Sequence, residues 1–225
     1  MTYKHLSFVS LFAVAALSAS AQRNVENFNF GWQFHRGNID VTAINTSDGS
    51  WETINVPHDF QISQPWVAPA ANESEDNSDG ASNFKSRLSA RGFKEMGDGW
   101  YVKTYTPAAD MKGRRILLDF EGIMYVGDVY LNGKRIGGTD YGYLGFDIDV
   151  SKLLKYGQAN TIAVHASTSG PLNSRWYTGG GLYRDVKIVS TPADIYFVRH
   201  PLYVTTTDNH RVNLQVEVAN YTKQR

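Results

Sequence analysis

Apolar and polar residues alternate in short runs along most of the chain, a spacing that puts neighbouring side chains on opposite faces of a strand. Phe28-Asn29-Phe30-Gly31-Trp32-Gln33-Phe34 reads this way, and so does Trp51 to Val56, which stops at Pro57 because proline offers no N–H to a ladder. Gly99 to Tyr105 is rich in strong β-formers, and Arg115 to Phe120 sets Ile116, Leu118 and Phe120 on one face. Ile123 to Leu131 runs into Asn132-Gly133, the best short hairpin signal, with Lys134-Arg135-Ile136 as the return strand. Tyr141 to Val150 is a further extended stretch, Ser151 to Tyr156 suits one helical turn, and Thr161 to Ala166 directs Ile162, Val164 and Ala166 inward. Val186 to Val189 is β-branched. Closely spaced strands without a long amphipathic helix predict an all-β protein, a β-sandwich of jelly-roll form at this length.

After Pro192 the pattern restarts. Val212, Leu214, Val216 and Val218 face one way, while Arg211, Asn213, Gln215 and Glu217 face the other. Such a strand buries one face against a partner sheet. With the chain ending at Arg225, this predicts the start of a second, truncated domain over residues 200–225, after a first domain over residues 22–199.

Composition adds limits. The chain has 225 residues, no net formal charge, no cysteine and 13% aromatic residues, which is globular composition. A neutral balance argues against a nucleic-acid partner, because backbone phosphates call for a basic surface. Residues 1–21 combine Lys4, the short apolar run Leu6 to Leu17 and a small-residue Ala19-Ser20-Ala21 site, the pattern of a secretory signal peptide cleaved before Gln22. The apolar run is too short for an ordinary membrane span, so no membrane association is expected of the mature chain. No cysteine follows to carry a lipid or form a disulfide, which suits export to a bacterial periplasm.

The densest chemistry lies in Asn173-Ser174-Arg175-Trp176-Tyr177-Thr178-Gly179-Gly180-Gly181-Leu182-Tyr183-Arg184-Asp185-Val186. Glycines allow sharp turns and close backbone approach. An aromatic face beside a guanidinium suits a polyhydroxylated ligand, with the ring against C–H faces and the fork donating to hydroxyls. The same residues also fit a bulged strand edge with Trp176 and Tyr183 in a core. His58 and Asp59 are adjacent in sequence, which hinders triad geometry and favours a structural role. Gln61 to Asp98 is a long polar segment, expected as a solvated loop. Glu75 to Gly80 hints at a calcium loop but has Ser86 where the bidentate glutamate belongs, so no metal and no cofactor are expected. Glu95 with Asp98 is a poor catalytic pair, since a mobile loop does not fix two carboxyl groups. Gly-x-Ser-x-Gly, His-Glu-x-x-His and phosphate-cradling motifs are absent from the sequence.

Five stretches together resemble the amino-terminal sugar-binding domain of glycoside hydrolase family 2, in its β-galactosidase branch. They are Val56 to Phe60, Gly99 to Lys103, Phe120-Glu121-Gly122 running into Val129 to Gly133, Tyr141 to Ile148, and Ser174 to Tyr177 continuing through Arg184-Asp185-Val186. The resemblance implies a jelly-roll domain, then an immunoglobulin-like domain, then a (β/α)₈ barrel holding two catalytic glutamates, neither of which falls in this chain. Retaining hydrolysis needs two carboxyl groups about 5 Å apart. By the same resemblance the domain shapes the pocket for a β-galactoside or related glycan. Arg175 donates to sugar hydroxyls, Asn173 and Ser174 share its loop, Trp176 and Tyr177 stack or buttress, and Asp98 is a second rim residue. No aspartate precedes the Arg-Trp-Tyr run, so no sodium ion is carried over. The missing barrel is the expected partner, with a homo-oligomer possible. A free-standing carbohydrate-binding module and a structural or subunit-contact domain are the alternatives.

Overall fold

A computed structural model describes residues 22–68, 92–169, 177–208 and 211–222. The signal-peptide stretch, the calcium-like run, and Asn173, Ser174, Arg175 and Trp176 lie outside these residues. The described residues form twelve strands: β1 (Asn24–Asn27), β2 (Trp32–Arg36), β3 (Glu52–Ile54), β4 (Asp98–Tyr105), β5 (Arg115–Phe120), β6 (Val126–Leu131), β7 (Lys134–Thr139), β8 (Phe146–Asp149), β9 (Asn160–Ser167), β10 (Val186–Thr191), β11 (Ile195–Asp208) and β12 (Arg211–Asn220).

Two antiparallel sheets make the main body. One has the order β1-β10-β5-β8 and the other β3-β2-β4-β9-β6-β7. The chain passes repeatedly between them, as in Greek-key sandwiches. Period-2 patterning explains the core between the layers. Ile116, Leu118 and Phe120 of β5 are fully buried, as are Ile162, Val164 and Ala166 of β9. Tyr101 of β4, Val129 of β6 and Ile188 of β10 join the same cluster. On the outer face of the larger sheet a second cluster sits beneath Ile39, Val41, Ile44 and Trp51, built on Trp100, Val102 and Ala163.

Three expected elements differ. Of the strand expected over Phe28–Phe34 only Trp32–Phe34 is strand, within β2, and Phe28–Gly31 is the link from β1, because the chain changes sheet there: β1 pairs with β10 and β2 with β4. Gly31, at φ +74°, makes the corner, and Phe30 is exposed. Buried Asn29 closes it, donating to Asp185 Oδ1 (2.9 Å) and accepting from the Val186 N–H (2.8 Å). Over Tyr141–Val150 only Phe146–Asp149 is strand. Ser151–Tyr156 folds as turns rather than helix, with the Ser151 N–H donating to Asp149 Oδ1 (3.0 Å).

β11 and β12 form a separate two-stranded sheet. The expected boundary at residues 199 and 200 falls inside β11, at a register shift between Phe197 and Leu202, where His200 has φ +52°. On the near side of this shift the strand is tied to the sandwich. Arg199 donates to the Gly145 carbonyl (2.9 Å) and to Asp119 (3.0 Å). Beyond it the alternation is present but uncovered. Leu202, Val204, Val212, Leu214, Val216 and Val218 are all at least 47% exposed.

The two situations predict different costs. Leu118→Ala opens a cavity between the layers and lowers unfolding free energy by about 2–5 kcal/mol. Leu214→Thr removes little packing and stays within about 0.5 kcal/mol of the parent. Urea unfolding of both variants checks the contrast.

Candidate functional site

One end of the sandwich gathers the glycine run, the His58-Asp59-Phe60 segment and the start of β4. The three glycines are a spatial requirement. A Cβ on Gly179 would lie 2.6 Å from Asp59 Oδ2, one on Gly180 2.6 Å from Thr168 Cγ2, and one on Gly181 2.1 Å from the Tyr101 hydroxyl. Gly179 and Gly181 also have φ of +74° and +114°, where L side chains are strained. With no side chains in the way, the backbone threads between two neighbours. The Phe60 N–H donates to the Gly180 carbonyl (2.9 Å), His58 N–H to Leu182 (2.7 Å), and Met124 N–H to Gly181 (2.8 Å).

Asp59 locks this arrangement. Its Oδ1 accepts from the N–H of Gln61 (3.0 Å) and of Gly180 (2.9 Å), and its Oδ2 accepts from the Tyr177 hydroxyl (2.7 Å). Hydrogen bonds to an ionised acceptor are the strong ones. Burial, and then the bond to Asp59, push the Tyr177 phenol well above its usual range, so it remains a donor. The Tyr177 ring packs closely against Gly92. Tyr177 is thereby an anchor at the near end of the stretch that contains Asn173 to Trp176.

His58 and Asp59 do not form a pair. His58 Nδ1 lies 2.9 Å from the hydroxyl of Tyr101, a fully buried residue. Burial raises the Tyr101 phenol and lowers His58. Both shifts favour the neutral forms, a phenol beside an imidazole, and the direction of the bond follows the imidazole tautomer.

Asp98 has a partner of its own, His165. The aspartate opens β4, and its Oδ1 lies 3.0 Å from His165 Nε2, on the ring stacked against Trp100 in the outer-face cluster. Its carbonyl accepts from the Gly37 N–H (2.8 Å).

The structure adds Arg36, which sequence reasoning passed over. On β2 the inward positions run Trp32, Phe34, Arg36, so a cation ends an apolar face. That break in alternation was the available signal. Its guanidinium lies over the Phe60 ring (4.8 Å), and Nη2 donates to the Met96 carbonyl (3.1 Å). Burial lowers its pKa, opposed by Glu95 and then Asp98. Arg36 Nη1 and both polar atoms of the Gln61 amide are buried without a hydrogen-bond partner among the described residues. Trp66, 73% exposed, carries the Lys94 ammonium over one ring face (4.0 Å). The Trp66–Lys94 bridge joins the two described ends of the long polar segment.

Removal of the Asp59 acceptors destabilises the chain. Asp59→Ala costs about 2–4 kcal/mol and Tyr177→Phe about 1 kcal/mol, by denaturant unfolding. His58 adds a pH dependence. Its folded pKa is lowered, so its contribution is complete above about pH 6.5, where the unfolded imidazole is neutral, and is lost as pH falls towards the folded value. His58→Gln therefore shows a smaller loss of stability between pH 7 and pH 5 than the parent, read by urea unfolding at both.

Comparisons with known proteins agree with the geometry. Residues 87–175 match the family model described as glycosyl hydrolase 2 galactose-binding domain-like. Beta-galactosidase BoGH2A of Bacteroides ovatus is 30% identical over 87% of this chain and 21% of its own length. A beta-glucuronidase of Formosa agariphila is 32% identical over 82% of this chain and 18% of its own. A beta-glycosidase from Bacteroides vulgatus superposes with a TM-score of 0.72 at 28% identity, over 89% of this chain and 25% of that one. The chain spans about a fifth of the length of these curated relatives. It belongs to glycosyl hydrolase family 2, of which it carries the galactose-binding-like domain.

Proposed function

We propose that this chain forms one wall of the sugar pocket of an exported, β-galactosidase-type retaining glycosidase whose two catalytic carboxyl groups lie in a separate barrel. The observation that carries the reading is the Asp59 clasp. It fixes Tyr177 and Gly180 and so anchors the chain two residues after Arg175. Ordering a chain before substrate arrives lowers the entropy lost on binding, and such preorganisation favours affinity. In this reading Arg175 donates to sugar hydroxyls and Tyr177 buttresses the loop. Residues 200–225 open an immunoglobulin-like domain, and residues 1–21 direct export to the periplasm. The 225-residue chain has no hydrolytic activity of its own.

A β-glucuronidase is the second reading, favoured by the name of the Formosa agariphila relative. The two differ at C6, a neutral hydroxymethyl against a carboxylate. The test is kinetic, with 4-nitrophenyl β-galactoside and β-glucuronide and the enzyme containing the barrel. The galactoside is the better substrate, and Arg175→Ala lowers kcat/KM for it by about 10–100-fold, or about 1.4–2.7 kcal/mol of transition-state stabilisation. Preference for the glucuronide replaces the first reading by the second. An unchanged kcat/KM in Arg175→Ala removes Arg175 from the pocket, and turnover by the 225-residue chain alone contradicts the division of labour.

A further inference from the structure

The opposite end of the sandwich holds an open cleft of about 1280 Å³. β5 separates the two ends: Phe120 pairs with Val186, just after the glycine run, and Arg115 pairs with Thr191. At about 3.4 Å per residue Arg115, in the cleft, is roughly 17 Å along β5 from Phe120. The cleft is a different site, and the argument for it does not rest on the function proposed above.

Three segments form its walls: residues 109–115, the turn at residues 151–158, and the base of the β11–β12 hairpin. Each is fastened. The Gly157 N–H donates to Pro107 (2.8 Å), the Ile116 N–H to Ser151 Oγ (2.8 Å), the Tyr156 hydroxyl to the Ser151 carbonyl (2.8 Å), and the Tyr221 N–H to Asp194 (2.7 Å). The hairpin and sandwich meet here, with the Arg115 guanidinium over the Tyr196 ring (4.2 Å).

Charge sets the cleft apart. Lys112, Arg114, Arg115, Lys152 and Lys155 line it, with Asp149 as the lone carboxylate of the lining. The lining residues therefore carry four positive charges in excess, while Asp110 and Asp194 lie on the same wall segments outside the lining. Arg115 is paired with Asp149 (3.1 Å). Lys112, Lys152 and Lys155 are exposed and have no carboxylate within ion-pair distance among the described residues. Like charges gathered in a cleft focus a field that attracts an anion. Tyr196 and Tyr221, with ring centroids 6.1 Å apart, sit among these cations, and Tyr221 is 72% exposed. The exposed Tyr221 ring offers a face to sugar C–H groups.

We propose that this cleft binds an acidic oligosaccharide, its anionic groups meeting Lys112, Lys152 and Lys155 and a sugar face resting on Tyr221. The volume exceeds the roughly 300–1,000 Å³ of a small-ligand pocket and suits several sugar units.

The test is calorimetric titration of the 225-residue chain at low and moderate salt. The probes are tetragalacturonate, a sulfated galactan tetrasaccharide, neutral galactotetraose and an eight-nucleotide oligothymidylate. Lys152→Glu/Lys155→Glu is the test variant, and Lys134→Glu, an exposed lysine on β7, is the control. Thermal melting verifies that both variants fold. An acidic tetrasaccharide binds, weakens several-fold from about 50 to 200 mM salt, loses at least tenfold in the double variant and is unchanged in Lys134→Glu. No binding of either acidic probe, equal binding of galactotetraose or of the oligonucleotide, or equal loss in the Lys134→Glu control overturns the proposal.

Discussion

The Asp59 carboxylate is the interaction on which the candidate pocket end depends. It accepts two backbone N–H groups and one phenol, from Gln61, Gly180 and Tyr177. Those partners come from two segments more than a hundred residues apart. A neutral side chain there would leave buried donors short of acceptors, a cost larger than the worth of any one bond. Gly179, Gly180 and Gly181 are the matching constraint, since a side chain at any of them would collide with Asp59, Thr168 or Tyr101. Acceptor and glycines make sense only together.

That coupling separates support from contact. Tyr177, Asp59, His58 and Tyr101 are spent on one another, their polar atoms directed into the fold. Groups whose bonding capacity is not used internally are the ones left for a ligand. Arg36 and Gln61 are the described cases at this end, with one guanidinium nitrogen and both amide polar atoms buried and unpartnered among the described residues. At the far end, Lys112, Lys152 and Lys155 stand in the same relation to an anion. The domain then has two faces of different character, one built on a clasp and glycines, the other on unpaired cations and tyrosines.

Much of the fold was legible because one face of most strands is buried. Ile116, Leu118 and Phe120, and again Ile162, Val164 and Ala166, sit at zero exposure where alternation placed them. Alternation failed at Phe28–Phe34 because it does not record which sheet a residue belongs to. Gly31 and Asn29 carry that information through a positive φ and a side-chain bond to a distant strand. It also cannot tell a covered apolar face from an open one, and Leu214 reads like Leu118 although one is 66% exposed and the other buried. At the site, the His58-Asp59 motif and the glycine run were each visible, but their junction is a long-range contact without a local signature. Asp98 was read as a rim residue from its neighbourhood in sequence, and in the structure its carboxylate lies 3.0 Å from His165 Nε2. The basic cleft was hidden because its cations come from two separate segments, residues 112–115 and 152–155, each unremarkable in composition.

The central claim is that residues 177–182 are held as firmly as the sheets. Amide hydrogen exchange followed residue by residue tests it most directly. The account predicts that the amides of His58, Phe60, Met124, Gly180 and Gly181 exchange as slowly as those of β4 and β9, and that Asp59→Ala releases the Gly180 amide first. Exchange of these amides at the rate of an open loop in the parent chain would contradict it.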